Sequence, residues 1–187
     1  MKRTNGPWTI NERDRIYHDD HILLYRDDVI QPDGKPGQYS VIHRNPGASV
    51  LALDDQKRVY LVRLFRYALG EESLEVVGGA IDDGEDPVVA ARRELVEEAG
   101  IEAAQWTALG ATHWDTSQIL SPIHLFLARS LSFLEPDREG TEEMERVWLP
   151  LDEAVEQAMT GQIVHGTTCL LLLKTQRLLA GESRSSG

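Results

Sequence analysis

Near the middle of the chain, one short helix is marked at both ends by its own residues. Asp86 precedes Pro87, and this pair is typical of a helix start, with aspartate as the cap and proline at the first helical position. Gly100 follows Ala99 and suits the left-handed position that ends a helix. The pattern predicts a helix over residues 87–99, and a helix of this kind between strand segments must bury its apolar side against a sheet.

The predicted helix has a narrow apolar face with carboxylates at its edge. At about 100° per residue, Leu95 stands at the centre of that face. Three further residues share it: Val88, Ala91 and Ala99. Glu94 and Glu98 lie on one side of the face, one turn apart, where two carboxylates repel each other. A hard divalent cation would reverse that repulsion, because Mg²⁺ and Mn²⁺ prefer oxygen ligands.

Strand-like segments precede and follow this helix. They lie at 22–25, 39–42, 48–53, 59–64 and 75–77 before it, and at 106–112, 123–128 and 147–149 after it. Two further helices are predicted at 151–159 and 167–180. Strands first, one helix in the middle and two near the end are typical of an α/β (α+β) sandwich in a single domain.

The charge is concentrated around the same helix. Residues 71–102 carry 2 basic and 11 acidic side chains, a net charge of −9 out of −12 for the whole chain. Such an acidic protein is a poor binder of nucleic acid, which is held by neutralising phosphates. The single cysteine, Cys169, excludes an internal disulfide, and we find neither a membrane span nor a signal peptide. We therefore expect a cytoplasmic protein without membrane or nucleic-acid partners.

A motif of fixed spacing joins the acidic loop to the helix. Five residues separate Gly79 from Glu85, and seven separate Glu85 from the run Arg-Glu-Leu-Val-Glu-Glu-Ala-Gly-Ile at 93–101. This arrangement resembles the Nudix box at every specified position. Arg66, the segment 148–154 and the C-terminal helix resemble the ADP-ribose pyrophosphatase branch of that family, and the resemblance covers about residues 20–180.

The resemblance implies an architecture. It implies a Nudix-type α/β/α sandwich with a mixed β-sheet, preceded by an N-terminal antiparallel strand region. We expect strands for dimerisation in residues 1–45, the Nudix hydrolase domain in 46–181 and a polar tail in 182–187. Members of this branch are usually homodimers, so a homodimer is expected.

The resemblance also implies a reaction. Nudix enzymes hydrolyse the pyrophosphate bond of a nucleoside diphosphate linked to another group X, with Mg²⁺ or Mn²⁺. For this branch the expected substrate is ADP-ribose or another nucleoside diphosphate sugar, cleaved to a nucleoside monophosphate and a sugar phosphate. By position, Glu94 and Glu98 are the expected metal ligands, with Glu97 and the Gly78 carbonyl as further ligands.

Further residues receive expected roles. Arg66 matches an arginine that binds substrate phosphate. The general base of the branch is an acid on a late loop, where Glu142, Glu143 and Glu145 are the candidates here, with Glu143 preferred and Glu142 second; the alternative is that all three only add solubility. Arg93 can pair with Glu97 across one turn and orient it for catalysis. Glu85 is expected to support the loop or a water-mediated metal contact. Trp114 stands at a strand end, where its ring can stack on a base or pack against the core.

One departure from the branch leaves the group X open. The loop 112–122 lacks the Ser-Pro-Gly sequence that the branch usually carries there. A dinucleotide, coenzyme A or a damaged nucleoside triphosphate is therefore an alternative substrate. A catalytically idle nucleotide sensor of the same fold is the alternative outside enzymes, although the box carboxylates that such proteins tend to lose are all retained here.

Overall fold

A computed structural model describes residues 3–134 and 145–185, and in these residues it contains twelve strands and three helices. The elements are β1 Arg3–Asn5, β2 Trp8–His18, β3 Ile22–Ile30, β4 Pro36–Arg44, β5 Gly47–Leu53, β6 Arg58–Arg66, β7 Glu71–Glu75, β8 Val77–Ala80, α1 Pro87–Ala99, β9 Ile101–His113, β10 Ile119–Leu120, β11 Pro122–Phe133, β12 Glu145–Pro150, α2 Leu151–Met159 and α3 Gly166–Ser185. They group into two compact units. The first contains the residues up to Pro46 together with His113–Pro122, and the second contains Gly47–Thr112 and the residues from Ile123 onward.

The first unit is a five-stranded sheet in the order β1-β2-β3-β4-β10. Strands β1 to β4 pair antiparallel in sequence order, as the predicted N-terminal strand region requires. The short strand β10 pairs parallel with β4, with Ile119 opposite Ile42. This strand comes from the segment 113–122, which the sequence analysis had not assigned to the N-terminal region.

The second unit is built on a mixed sheet in the order β12-β6-β5-β11-β9, with β7 beside β6 and β8 beside β5. Its central strand, β5, is buried along its whole length. Because successive strand residues point to opposite faces, Ala48 and Val50 join one hydrophobic cluster, whereas Leu51 and Leu53 join another. A strand buried on both faces requires a layer of helices on each side.

The helices of the second unit supply those two layers. Leu95 and the alanines of α1 belong to the cluster on one face of β5, and α2 and α3 contribute to the cluster on the other face, for example with Leu151 and Leu172. The predicted α/β/α sandwich with a mixed sheet is therefore confirmed. Among the described residues, no helix has the length and apolar character needed to cross a membrane.

The helix bounds differ from the prediction in one helix, α3, which spans Gly166–Ser185 and not 167–180. Helices α1 and α2 have the predicted bounds, but α3 runs to Ser185, past the predicted end at Ala180. Arg129 of β11 donates a hydrogen bond to Glu182 at 3.1 Å, which ties the additional turn to the sheet. The three predicted segments, 1–45, 46–181 and 182–187, remain predictions.

Candidate active site

Helix α1 presents its carboxylates beside the edge of the core. The Asp86 side chain accepts a hydrogen bond from the Val88 amide at 2.9 Å and caps the helix, and Gly100 ends it in the left-handed conformation. Leu95 is fully buried and fixes the rotation of the helix on the sheet. The Glu94 side chain is in consequence only 12% exposed.

Two glycines of β8 form the surface that faces these carboxylates. Gly78 lies opposite Ser49 and Gly79 opposite Ala48 of β5. A Cβ atom on Gly78 would lie 2.6 Å from the Ala48 carbonyl oxygen, and a Cβ on Gly79 would overlap the Glu94 carboxylate. The absence of both side chains therefore lets β8 lie between β5 and the acidic side of α1.

The second carboxylate reaches the same two glycines. The Gly78 amide donates a weak hydrogen bond to Glu98 Oε2 at 3.4 Å. Glu94 and Glu98 thus lie on the Gly78–Gly79 backbone, as the i,i+4 spacing and the motif suggested. Glu97 is 58% exposed and accepts a hydrogen bond from Arg93.

Arg93 joins the loop to the helix through five hydrogen bonds. Its guanidinium donates two to Glu85, at 3.1 and 3.0 Å, and one to the Ala80 carbonyl at 3.0 Å. It also donates to Glu94 at 2.7 Å and to Glu97 at 3.2 Å. The predicted Arg93–Glu97 pair is present, and the bond to Glu94 shows that Arg93 also fixes a carboxylate expected to bind metal.

The protonation states follow from these bonds. Hydrogen bonds to Glu85 and Glu94 raise the pKa of Arg93, which stays positively charged. The same arginine is the main reason that the pKa of Glu85 is lowered, with a further contribution from the Asp82 amide. Arg93 and Glu85 are therefore both charged at neutral pH.

Glu94 and Glu98 fit a hard divalent cation that takes its other ligands from water and substrate. In the part of the chain that the structure describes, no group of three or more histidine, cysteine, aspartate or glutamate side chains is arranged to hold a metal ion. Mg²⁺, however, usually takes one or two carboxylates from the protein and the rest of its ligands from water and substrate phosphates. The two clustered carboxylates, Glu94 and Glu98, match that pattern.

A second charged cluster of the same unit surrounds Arg66. Its guanidinium donates two hydrogen bonds to Glu75, at 2.9 and 2.6 Å. His165, at the entrance to α3, lies with Nδ1 3.5 Å from the same carboxylate. Of these three residues, only Arg66 was predicted from the sequence as a site residue, whereas Glu75 and His165 were not. The start of α3 packs beside the strand end that carries Glu75 and brings these residues together. Residue spacing in the sequence does not indicate this contact.

The remaining predicted residues belong to the first unit or fall outside the described part. Trp114 belongs to the first unit and is 43% exposed. Glu142 and Glu143 fall in 135–144, outside the described residues. The first unit also contains a cavity of about 450 Å³ that the sequence analysis did not predict. Its lining includes Trp8, Tyr25 and Tyr39 together with the ion pair of Arg13 and Asp27.

Comparisons with known proteins place the chain in a family. The NUDIX domain model matches residues 43–167. An ADP-ribose pyrophosphatase from Bacillus subtilis is 31% identical, over 83% of this chain and 85% of that protein. A GDP-mannose pyrophosphatase from Escherichia coli is 31% identical, over 89% of this chain and 95% of that protein.

Two further proteins extend the comparison. A CMP-5'-(N-acetyl-N-hydroxy-3-aminopropyl)phosphonate hydrolase from Streptomyces rubellomurinus is 32% identical, over 86% of this chain and 78% of that protein. The solved structure of an ADP compounds hydrolase superposes with a TM-score of 0.83 at 21% identity, covering 95% of this chain and 96% of that one, and shows the same fold. From the domain match, the motif on α1 and the curated relatives, the chain belongs to the Nudix family and is a Nudix pyrophosphohydrolase.

Proposed function

We propose that this enzyme hydrolyses the pyrophosphate bond of a nucleoside diphosphate sugar, with ADP-ribose as the first candidate substrate. The observation that carries the proposal is the placement of Glu94 and Glu98 on the Gly78–Gly79 backbone, with Arg93 holding the first of them. The relatives named ADP-ribose pyrophosphatase and GDP-mannose pyrophosphatase support this substrate class.

Nudix hydrolases generally use divalent metal ions, and we propose Mg²⁺ or Mn²⁺ here. Glu94, Glu98 and the Gly78 carbonyl would hold the ion, with Glu97 nearby. When bound, such an ion neutralises phosphoryl oxygens and lowers the pKa of water. Without that neutralisation a diphosphate would be repelled by the acidic surface, because residues 71–102 carry a net charge of −9.

The protein's own residues have distinct tasks in the proposed reaction. Arg66 donates hydrogen bonds to a substrate phosphate, and Arg93 keeps Glu94 and Glu97 in place. The oxygen of a water molecule forms a bond to one phosphorus, the bond from that phosphorus to the bridging oxygen breaks, and the bridging oxygen leaves with the other phosphate. The water's proton passes to the carboxylate of Glu143 or, second, of Glu142. Stacking of Trp114 on the base of the nucleotide stays a prediction from the sequence.

A substrate panel tests the proposal. With Mg²⁺ and separately with Mn²⁺, the purified protein is incubated with ADP-ribose, GDP-mannose, a dinucleotide, coenzyme A and an oxidised nucleoside triphosphate, and the products are separated by chromatography. We expect the highest kcat/KM for a nucleoside diphosphate sugar, with a nucleoside monophosphate and a sugar phosphate as products. Chelation of the metal is expected to abolish turnover.

Two outcomes of the panel would contradict the proposal. A kcat/KM more than tenfold higher for a dinucleotide, coenzyme A or the triphosphate would leave the type of reaction unchanged. It would contradict the proposed identity of X. Inertness toward every compound, with nucleotide binding retained, would favour the idle sensor. The cytoplasmic location and the homodimer are further proposals, and gel filtration with light scattering tests the second.

A further inference from the structure

Arg66 is fixed from one side by a buried carboxylate. Both bonds to Glu75 run in the two-pronged geometry that is characteristic of arginine and carboxylate groups. The Glu75 side chain is only 5% exposed, whereas the Arg66 side chain is 52% exposed. The pair therefore joins a buried carboxylate, Glu75, to a guanidinium that faces solvent, Arg66.

The surroundings keep Glu75 in place and charged. Burial alone would raise the pKa of Glu75, but the hydrogen bonds from Arg66 outweigh it, with an electrostatic contribution from the nearby His165, so the pKa lies below its ordinary value. Thr168 accepts a hydrogen bond from the Val76 amide at 2.9 Å, and its hydroxyl lies 2.8 Å from His165 Nδ1. The start of α3 thus supports the strand end that carries Glu75.

Glu75 is also close along the chain to the proposed metal site. It precedes Gly78 by three residues, and three residues of extended chain span at most about 11 Å. The segment that carries the carboxylate under Arg66 is therefore the segment whose glycines face Glu94 and Glu98.

We infer that Glu75 is a positioning residue for substrate binding: it holds the Arg66 guanidinium in one orientation, so that a diphosphate meets a pre-arranged phosphate ligand. The inference rests on the proposed function, which gives Arg66 its role toward phosphate. A long arginine side chain loses conformational freedom when it binds a ligand, and an arginine that is already held has less to lose. The gain therefore belongs to substrate affinity.

The alternative is a pair that serves stability alone. A buried ion pair contributes little net stability compared with well-packed apolar residues, although breaking it from one side is costly. The two readings differ in what a change of Glu75 does to KM. A purely structural pair would alter the unfolding temperature and leave the KM of the folded enzyme unchanged.

The test is a cycle of three variants: Glu75→Gln, Arg66→Lys and the double variant. For each, kcat and KM are measured for ADP-ribose with Mg²⁺, and the Kd of a non-hydrolysable ADP-ribose analogue is measured by calorimetry. We expect Glu75→Gln to raise KM and Kd by about 3- to 10-fold with kcat nearly unchanged. We expect the double variant to bind no worse than Arg66→Lys alone, because the lysine no longer depends on the carboxylate.

A matched control and a stability measurement complete the design. Glu182→Gln breaks the Arg129–Glu182 pair, another arginine–glutamate pair of the same unit, and should leave KM unchanged. Circular dichroism and thermal unfolding show whether Glu75→Gln is folded. If it is not, Thr168→Val, which removes the hydroxyl that supports the same strand end, takes its place and should raise KM in the same direction.

The outcomes separate this inference from the proposed function. Two results would overturn the positioning role while leaving Arg66 as a ligand. One is unchanged KM and Kd in a folded Glu75→Gln variant. The other is a double variant whose rise in Kd is the product of the rises in the two single variants. Unchanged Kd in Arg66→Lys would remove the phosphate role of Arg66 and the inference with it. Because Kd is measured with an analogue, the result does not depend on turnover.

Discussion

Replacing Glu98 with glutamine is expected to lower kcat by about 10²–10⁴ with ADP-ribose and Mg²⁺. Glutamine has nearly the same size, and its carbonyl oxygen can still accept the hydrogen bond from the Gly78 amide. What it removes is the negative charge beside Glu94, which the proposed cation would require. Steady-state kinetics measure the loss, and thermal unfolding shows whether the fold is retained.

A control on another helix separates this effect from a general loss of charge. Glu156→Gln changes an exposed glutamate of α2 and should leave kcat within about twofold, because surface substitutions away from a site have small effects. Retention of more than a third of the kcat by Glu98→Gln would rule out an essential carboxylate at this position. An absence of turnover in both the wild type and the variant would instead support the idle sensor.

Replacing Gly79 with alanine is expected to lower kcat/KM by up to about 100-fold with little loss of stability. The added Cβ would overlap the Glu94 carboxylate, which is the end of a flexible side chain and can turn away. The carboxylate would then leave both the glycine backbone and Arg93. The fold would survive because the added methyl group meets a side chain that can move.

The neighbouring glycine provides the contrast for this prediction. In Gly78→Ala the Cβ would meet the Ala48 carbonyl oxygen at 2.6 Å and the Ser49 Cα at 3.1 Å, both of them backbone atoms of β5. Backbone atoms cannot turn away, so we expect a loss of about 1–3 kcal/mol in the free energy of unfolding. Urea unfolding and kinetics on both variants check the pair. Equal destabilisation by the two substitutions, or full activity of Gly79→Ala, would contradict the account.

The sequence allowed the helices to be placed closely where their ends carry local chemistry. Asp86, Pro87 and Gly100 act through the backbone next to them, and α1 has the predicted bounds. The parallel pairing of β10 with β4 could not be predicted from the sequence, because it joins residues about 77 apart in the chain. Two-residue strands also carry too few side chains for any alternation to show.

In the candidate site too, contacts within one helix were predictable and contacts between elements were not. Spacing on one helix predicted that Glu94 and Glu98 would be neighbours and that Arg93 would pair with Glu97. The bond from Arg93 to the Ala80 carbonyl, and the bond from Arg66 to Glu75, depend on how the loop and β7 pack against other elements. Such contacts follow from tertiary packing, so residue spacing cannot indicate them.

The central claim is that the two carboxylates on α1 bind a divalent cation that serves a diphosphate. The most direct test is a crystal grown with Mn²⁺ and a non-hydrolysable ADP-ribose analogue, with diffraction data collected at the manganese absorption edge. We predict an anomalous peak that marks a manganese ion beside α1. Its ligands should include carboxylate oxygens of Glu94 and Glu98 and phosphate oxygens of the analogue. A map in which the analogue is bound but no manganese lies beside α1, with both carboxylates turned to bulk solvent, would contradict the claim.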